Sequence, residues 1–212
     1  MSPSPPPTDP EEPGSRLALA LAVTIRHDGH GGVADDLRTP DGLTAWVTEH
    51  AGALRHALDA REFIADGAAL SAVRALREAV RALFARAVRP GPPSRADAHR
   101  LLPEPEAVAR LNAAAALVPA APALHWPPGA AAPTAGAAWP PGPPAADRLT
   151  AALAHDAIAF LAGPDRARLR ACQGPRCVRY FMKDHPRQEW CKPSCGNRAR
   201  VARHHRRHRA ES

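Results

Sequence analysis

Aromatic side chains are scarce in this 212-residue chain: 4% of the total, against 45% hydrophobic residues overall. Any core must therefore be assembled from Ala, Leu and Val. Cysteine is absent before residue 172, and all four cysteines lie between Cys172 and Cys195. A disulfide scaffold would staple the whole chain, so this clustering points instead to a local metal site. Long apolar runs are missing too. The longest, Leu17 to Ile25, is about half of the roughly 18 residues that suggest a membrane span. The first sixteen residues carry Asp9, Glu11 and Glu12 against Arg16, the reverse of a basic signal-peptide start. The expectation is a cytoplasmic protein without a membrane partner.

Proline and positive charge are plentiful. Six of the 25 prolines fall in residues 1–13, and nine more between Pro119 and Pro144. Residues 1–14 read as a disordered tail, and 119–144 as either a stiff linker or a short hairpin flanked by Trp126 and Trp139. The net charge of +7 is unevenly divided. From Arg166 to Ser212 there are fourteen Arg and Lys against Asp184, Glu189 and Glu211, a net of +11 that leaves −4 for the rest. An anionic partner should meet the C-terminal end.

Most of the chain reads as helix. Asp41 after Pro40 predicts the cap of a helix running to His50. Residues 70–88 carry Leu70, Val73, Leu76, Val80, Leu83, Phe84 and Ala87 on one face, with Arg74, Arg77, Arg81 and Arg86 on others. Pro105 suits the first turn of a helix bearing Val108 and Leu111. Leu149, Leu153, Ala157 and Phe160 line another, ended by Gly163 and Pro164. Asp165 can then cap a short helix that delivers Cys172.

The cysteines are spaced Cys172-x4-Cys177 and Cys191-x3-Cys195, with thirteen residues between the pairs. Each pair can bite a tetrahedral Zn²⁺ from one turn, and four thiolates leave no open position for a catalytic water. A module of about 40 residues with so few large apolar groups needs such help, since structural zinc supplies on the order of 10 kcal/mol. Phe181 and Trp190 should pack against the site. Alternatives are four unrelated thiols, or His185 replacing one thiolate. A redox dithiol would show Cys-x-x-Cys beside a βαβ pattern, which is absent.

After Cys195 a helix is expected, with Val201 facing the zinc knuckle and Arg198, Arg200, Arg203, Arg206, Arg207 and Arg209 projecting outward to nucleic acid. DNA is the first reading, a tail that only aids solubility the second, and RNA the third. Asn197 and Arg198 can instead serve the zinc shell. The His27–Gly32 loop and the His155–Asp156 pair lack the surroundings of a phosphate loop or a nucleophile. Nothing else suggests catalysis, so no enzyme is expected; an enzyme with a structural zinc ranks third among the functions.

The run Leu169-Arg170-Ala171-Cys172, the pair Tyr180-Phe181, Arg187, Trp190-Cys191 and Cys195-Gly196-Asn197-Arg198 resemble the CGNR zinc-finger proteins. These are bacterial proteins with an N-terminal ABATE domain, described as stress-induced transcription regulators. The stretch Asp36–Trp46 and the run Pro105–Asn112 extend the resemblance from Leu17 to about Phe160. Where relatives carry a strand ending Asp-Phe-Val-Asn-Thr, this chain has Ala20-Leu21-Ala22-Val23-Thr24 and keeps only the threonine.

The resemblance implies a zinc-dependent DNA-binding regulator whose N-terminal domain is a sensor or dimerisation unit; it supplies no ligand or operator, and leaves a homodimer and an unidentified small-molecule inducer as candidate partners. The runner-up is an adaptor that binds RNA or protein through its zinc module and a small molecule through its N-terminal domain. The expected fold is mainly α. A helical domain spans 15–163 with a small β-hairpin, and a four-cysteine zinc finger spans 164–212 with Zn²⁺ on Cys172, Cys177, Cys191 and Cys195. Few contacts are expected across the boundary near residue 165.

Overall fold

A computed structural model describes residues 16–30, 32–97 and 101–210, with side chains up to His204. The tail at 1–14 and the side chains of Arg206, Arg207 and Arg209 lie outside the described residues. The elements run α1 (Leu17–Ala22), β1 (Ile25–His27), β2 (Val33–Asp35), α2 (Pro40–Glu49), α3 (Ala51–Leu54), α4 (Gly67–Ala87) and α5 (Glu104–Ala116). They continue with β3 (Ala121–His125), β4 (Thr134–Ala138), α6 (Ala145–Ala162), β5 (Leu169–Ala171), β6 (Tyr180–Met182) and α7 (Pro193–Ala210). The fold is mainly α, as its Ala- and Leu-rich composition favours. Among the described residues the β structure consists of three antiparallel hairpins, β1–β2, β3–β4 and β5–β6. The proline-rich 119–144 stretch forms the second.

Local chemistry sets several boundaries differently from the sequence reading. Thr39, not Asp41, caps α2: its Oγ1 accepts from Gly42 N at 3.2 Å, and Pro40 takes the first helical position. The fixed φ of proline suits that place. The Leu17–Ala22 run, which aligns with a strand in the resemblance, is helical and mostly buried. Asp156 on α6 accepts from Ala18 N at 2.7 Å and so satisfies a donor at the α1 N-terminus. On α5, Leu111 is buried but Val108 is exposed, because Ala107 and Leu111 set the face that packs inward. Asp165 pairs with Arg168 at 3.0 Å within a 3-10 turn at Pro164–Arg168, and strand β5, not a helix, leads to Cys172. The His27–Gly32 segment is the tip of β1–β2, where Asp28 Oδ1 accepts from the amides of His30 and Gly32.

Helix α4 is the centre. Asp66 caps it by accepting from Ala69 N at 2.7 Å. Phe84 packs against Phe160 of α6 and edge-on to Tyr180 of β6. The largest departure from the periodicity reading is on this helix: Arg77 and Arg81, expected on outer faces, are only 4% and 5% exposed. Other parts of the chain cover those faces, so both guanidinium groups are internal and each has a built partner. Arg77 forms a fork to Asp35 at 2.5 and 2.8 Å and donates to Thr24 Oγ1 at 2.9 Å. Thr24, the one residue kept from the relatives' strand end, thus serves a buried arginine.

Arg81 binds Asp97 through Nε at 2.8 Å and Nη2 at 3.0 Å, and donates to the Ala22 carbonyl at 2.5 Å. Tyr180 Oη donates to Asp97 at 2.7 Å, and Ser94 Oγ donates to the Val178 carbonyl at 2.8 Å. The Arg81 guanidinium also lies 5.3 Å from the centre of the Tyr180 ring, within cation–π range. Val178 and Tyr180 belong to the segment between Cys177 and Cys191. Leu169, Tyr180 and Met182 are part of the main core alongside Leu21, Val80 and Leu153. The expectation of few contacts across residue 165 therefore fails: the C-terminal module is built onto the helical body.

A buried arginine stripped of its carboxylate leaves an uncompensated charge, which costs about 3–5 kcal/mol. Asp97→Ala should lose that much in urea unfolding, whereas the double variant Arg81→Met/Asp97→Leu should recover most of it. Equal destabilisation of both would refute the ion-pair account. Asp35 gives a pH test. Burial acts to raise its carboxyl, but the hydrogen bonds and charge of Arg77 more than offset this and hold it below the ordinary value. A lowered folded value means stability present above the unfolded carboxyl near pH 4 and lost as pH falls below it. The stability gap between wild type and Asp35→Asn should therefore narrow as pH falls from about 5 towards about 2; a constant gap would count against it.

Candidate metal centre

Each cysteine is delivered by a short, well-defined piece of chain. Cys172 follows β5, and its amide donates to the Arg179 carbonyl at 2.9 Å. Cys177 closes a turn by donating to the Gly174 carbonyl at 2.9 Å, after Arg176 at φ 63°. Cys191 N donates to Cys172 Sγ at 3.5 Å, and Cys195 sits in the first turn of α7. The four Sγ atoms lie within 4.8 Å of one another, with Cys177–Cys191 and Cys191–Cys195 both at 3.6 Å. A tetrahedron with the usual zinc–sulfur length near 2.3 Å has edges of about 3.8 Å. The donor set therefore fits zinc and leaves no position for a reacting water, which makes the site structural. Among the described residues no other group of His, Cys, Asp and Glu is so arranged.

Tight approach around the sulfurs explains two glycines. A Cβ on Gly174 would lie 2.9 Å from Cys195 Cβ, and one on Gly196 would lie 2.9 Å from Trp190 Cδ1. Phe181 and Trp190 pack with the cysteines as a second, smaller core, as the sequence suggested. His185 is exposed and bonds the Arg187 amide through Nδ1, apart from the sulfur cluster. Hydrogen bonds from Cys172 and then Cys191 draw Cys177 down to about 3, whereas Cys191 is pushed up, first by its hydrogen bond with Cys172. A divalent cation supplies the charge that lets all four thiols ionise.

The residues after Cys195 divide. Arg198 turns back onto the knuckle, donating through Nη2 to Cys195 Sγ at 3.1 Å and through Nε to the Pro175 carbonyl at 3.2 Å. Arg200 donates to Asn197 Oδ1. Arg203 is exposed, and its side chain has no ion pair or hydrogen bond among the described residues. Val201, expected to face the knuckle, is 55% exposed.

Because β6 is shared between the sulfur cluster's module and the main core, metal and fold should be linked. Chelation should lower one cooperative thermal transition, seen alike by helical circular dichroism and tryptophan fluorescence. Two separated transitions, with the helical one unmoved by chelator, would overturn this linkage.

Residues 15–164 match the sequence model of the ABATE family, described as "Putative stress-induced transcription regulator". Residues 168–208 match that of the CGNR zinc finger. No curated protein matches the chain. With about seven-tenths of its length covered by the first match, and the four-cysteine cluster inside the second, the chain belongs to the ABATE family and carries a C-terminal CGNR zinc finger.

Proposed function

We propose that this protein is a zinc-dependent transcription regulator that grips DNA through α7 and senses through its helical domain. Zn²⁺ sits on Cys172, Cys177, Cys191 and Cys195, and it has no catalytic role. The observation that carries the reading is α7 itself: eighteen residues with no acidic side chain, anchored at Cys195 and Gly196, with Val201, Arg203 and His204 exposed. At 1.5 Å per residue such a helix is about 27 Å long, enough to follow a major groove. Arg200, Arg203, Arg206, Arg207 and Arg209 meet phosphates or base edges, while Arg198, held by Cys195, contributes its remaining donors. RNA is the second polyanion the same charge would take.

The sensing role rests on a cleft of about 550 Å³ between β4, the α3 region and α6. Leu17, Trp139 and Phe160 line it, together with His56, His155 and Asp156. An apolar cleft of that size with a few polar groups suits a small molecule. Pairing of two chains would let two α7 helices read symmetric half-sites. No helix among the described residues is long and apolar enough to cross a membrane.

If roughly five arginines meet phosphates, the log–log dependence of DNA affinity on salt should have a slope near −4.5, so a fourfold rise weakens binding about 500-fold. Deleting residues 203–212 should flatten that slope and weaken binding to all sequences alike. Unchanged affinity and slope in the truncated protein would reduce α7 to a solubility device.

A further inference from the structure

Among the described non-glycine residues, Arg176 alone holds a positive φ, at 63°. It occupies the last position of the first knuckle, between Pro175 and Cys177. Left-handed backbone suits glycine, and asparagine to a lesser degree; any longer side chain crowds its own carbonyl there. Glycine would make this turn with less strain, yet an arginine stands in its place. Strain kept at a turn points to work done by the side chain.

The surroundings say what kind of work. The Arg176 side chain is exposed and makes no ion pair or hydrogen bond among the described residues. Its neighbours are occupied internally: Arg198 holds Cys195 and the Pro175 carbonyl, and Arg200 donates to Asn197. The Arg198 bond to the Pro175 carbonyl, with Gly174 packed against Cys195, fixes the knuckle on the first turn of α7. Arg176 is thus an uncommitted guanidinium on a rigid mount, next to the root of the basic helix. A held backbone matters because binding then costs the freedom of the side chain alone and not that of the turn.

We propose that Arg176 is a phosphate-binding residue of the nucleic-acid interface, gripping the phosphodiester backbone where it passes from α7 onto the zinc knuckle. This rests on the reading of α7 as the DNA-contacting element and extends that interface to a second piece of chain. The guanidinium fork suits two oxygens of one phosphate. The contact adds affinity without reading sequence.

The test uses the full-length, zinc-loaded protein and a short fluorescein-labelled duplex of mixed sequence, followed by anisotropy over a salt series. Arg176→Gly should melt at a higher temperature than wild type and keep its zinc. It should nevertheless bind roughly fivefold more weakly at about 0.15 M salt, with the slope shallower by about 0.9. Arg176→Lys should keep the slope. Opposite movements of stability and affinity are something a merely structural residue does not produce. If Arg176→Gly loses zinc, Arg176→Asn makes the same comparison with a side chain retained at the turn. Wild-type affinity and slope in the glycine variant, while Arg203→Ala weakens binding, would overturn the role of Arg176 and leave that of α7 standing. A wild-type protein that shows no salt-dependent duplex binding would bring down both.

Discussion

The buried pair of Arg81 and Asp97 is the constraint on which the arrangement of the whole chain depends. Arg81 comes from the middle of α4, and Asp97 from the turn after it. Their remaining bonds reach α1 through the Ala22 carbonyl and the zinc-bearing segment through Tyr180. Taking two charges out of water is costly, and their attraction offsets this only when the other donors and acceptors are also satisfied. Here Tyr180 and the Ala22 carbonyl do that, and Ser94 donates to Val178 beside them. A polar cluster of this kind fixes position more sharply than apolar packing does, because each member has a direction as well as a place.

That arrangement changes the meaning of the metal centre. Read alone, the four cysteines describe a small autonomous knuckle carrying a basic helix. In the folded chain the knuckle faces two ways. Phe181 and Trp190 lie against the sulfurs, while Tyr180 and Met182 from the same short strand enter the main core. The alternation of a β-strand makes this possible, since successive side chains point to opposite sides. One three-residue strand therefore joins two cores, and the metal holds its flanks.

Much of this was legible in the sequence, and the limits have physical causes. The cysteine spacing carried the site, because metal geometry is strict and local. The apolar period of α4 and the Gly-Pro boundary of α6 were equally local signals. What periodicity could not reveal was the fate of Arg77 and Arg81. Hydropathy ranks arginine as an outward residue, and only the tertiary placement of Asp35 and Asp97 makes an inward one tolerable. Asp97 lies sixteen residues from Arg81 and Asp35 forty-two from Arg77, so no helical spacing connects them. Val201 misled for the opposite reason. A lone apolar residue on a basic helix invites a core assignment, although single exposed hydrophobic residues are ordinary on protein surfaces.

Tyr180 is the sole tyrosine of the chain, and it stands at the junction of the two cores. Burial first, and then the Asp97 carboxylate, push its phenol above the ordinary value. A raised folded value means that stability from this group is present below the unfolded phenol near pH 10 and is lost as pH rises above it. The ring is then a built-in optical gauge. Ultraviolet absorbance of tyrosinate in alkaline solution registers the parting of the zinc-bearing segment from the helical body, at a single position and without a label.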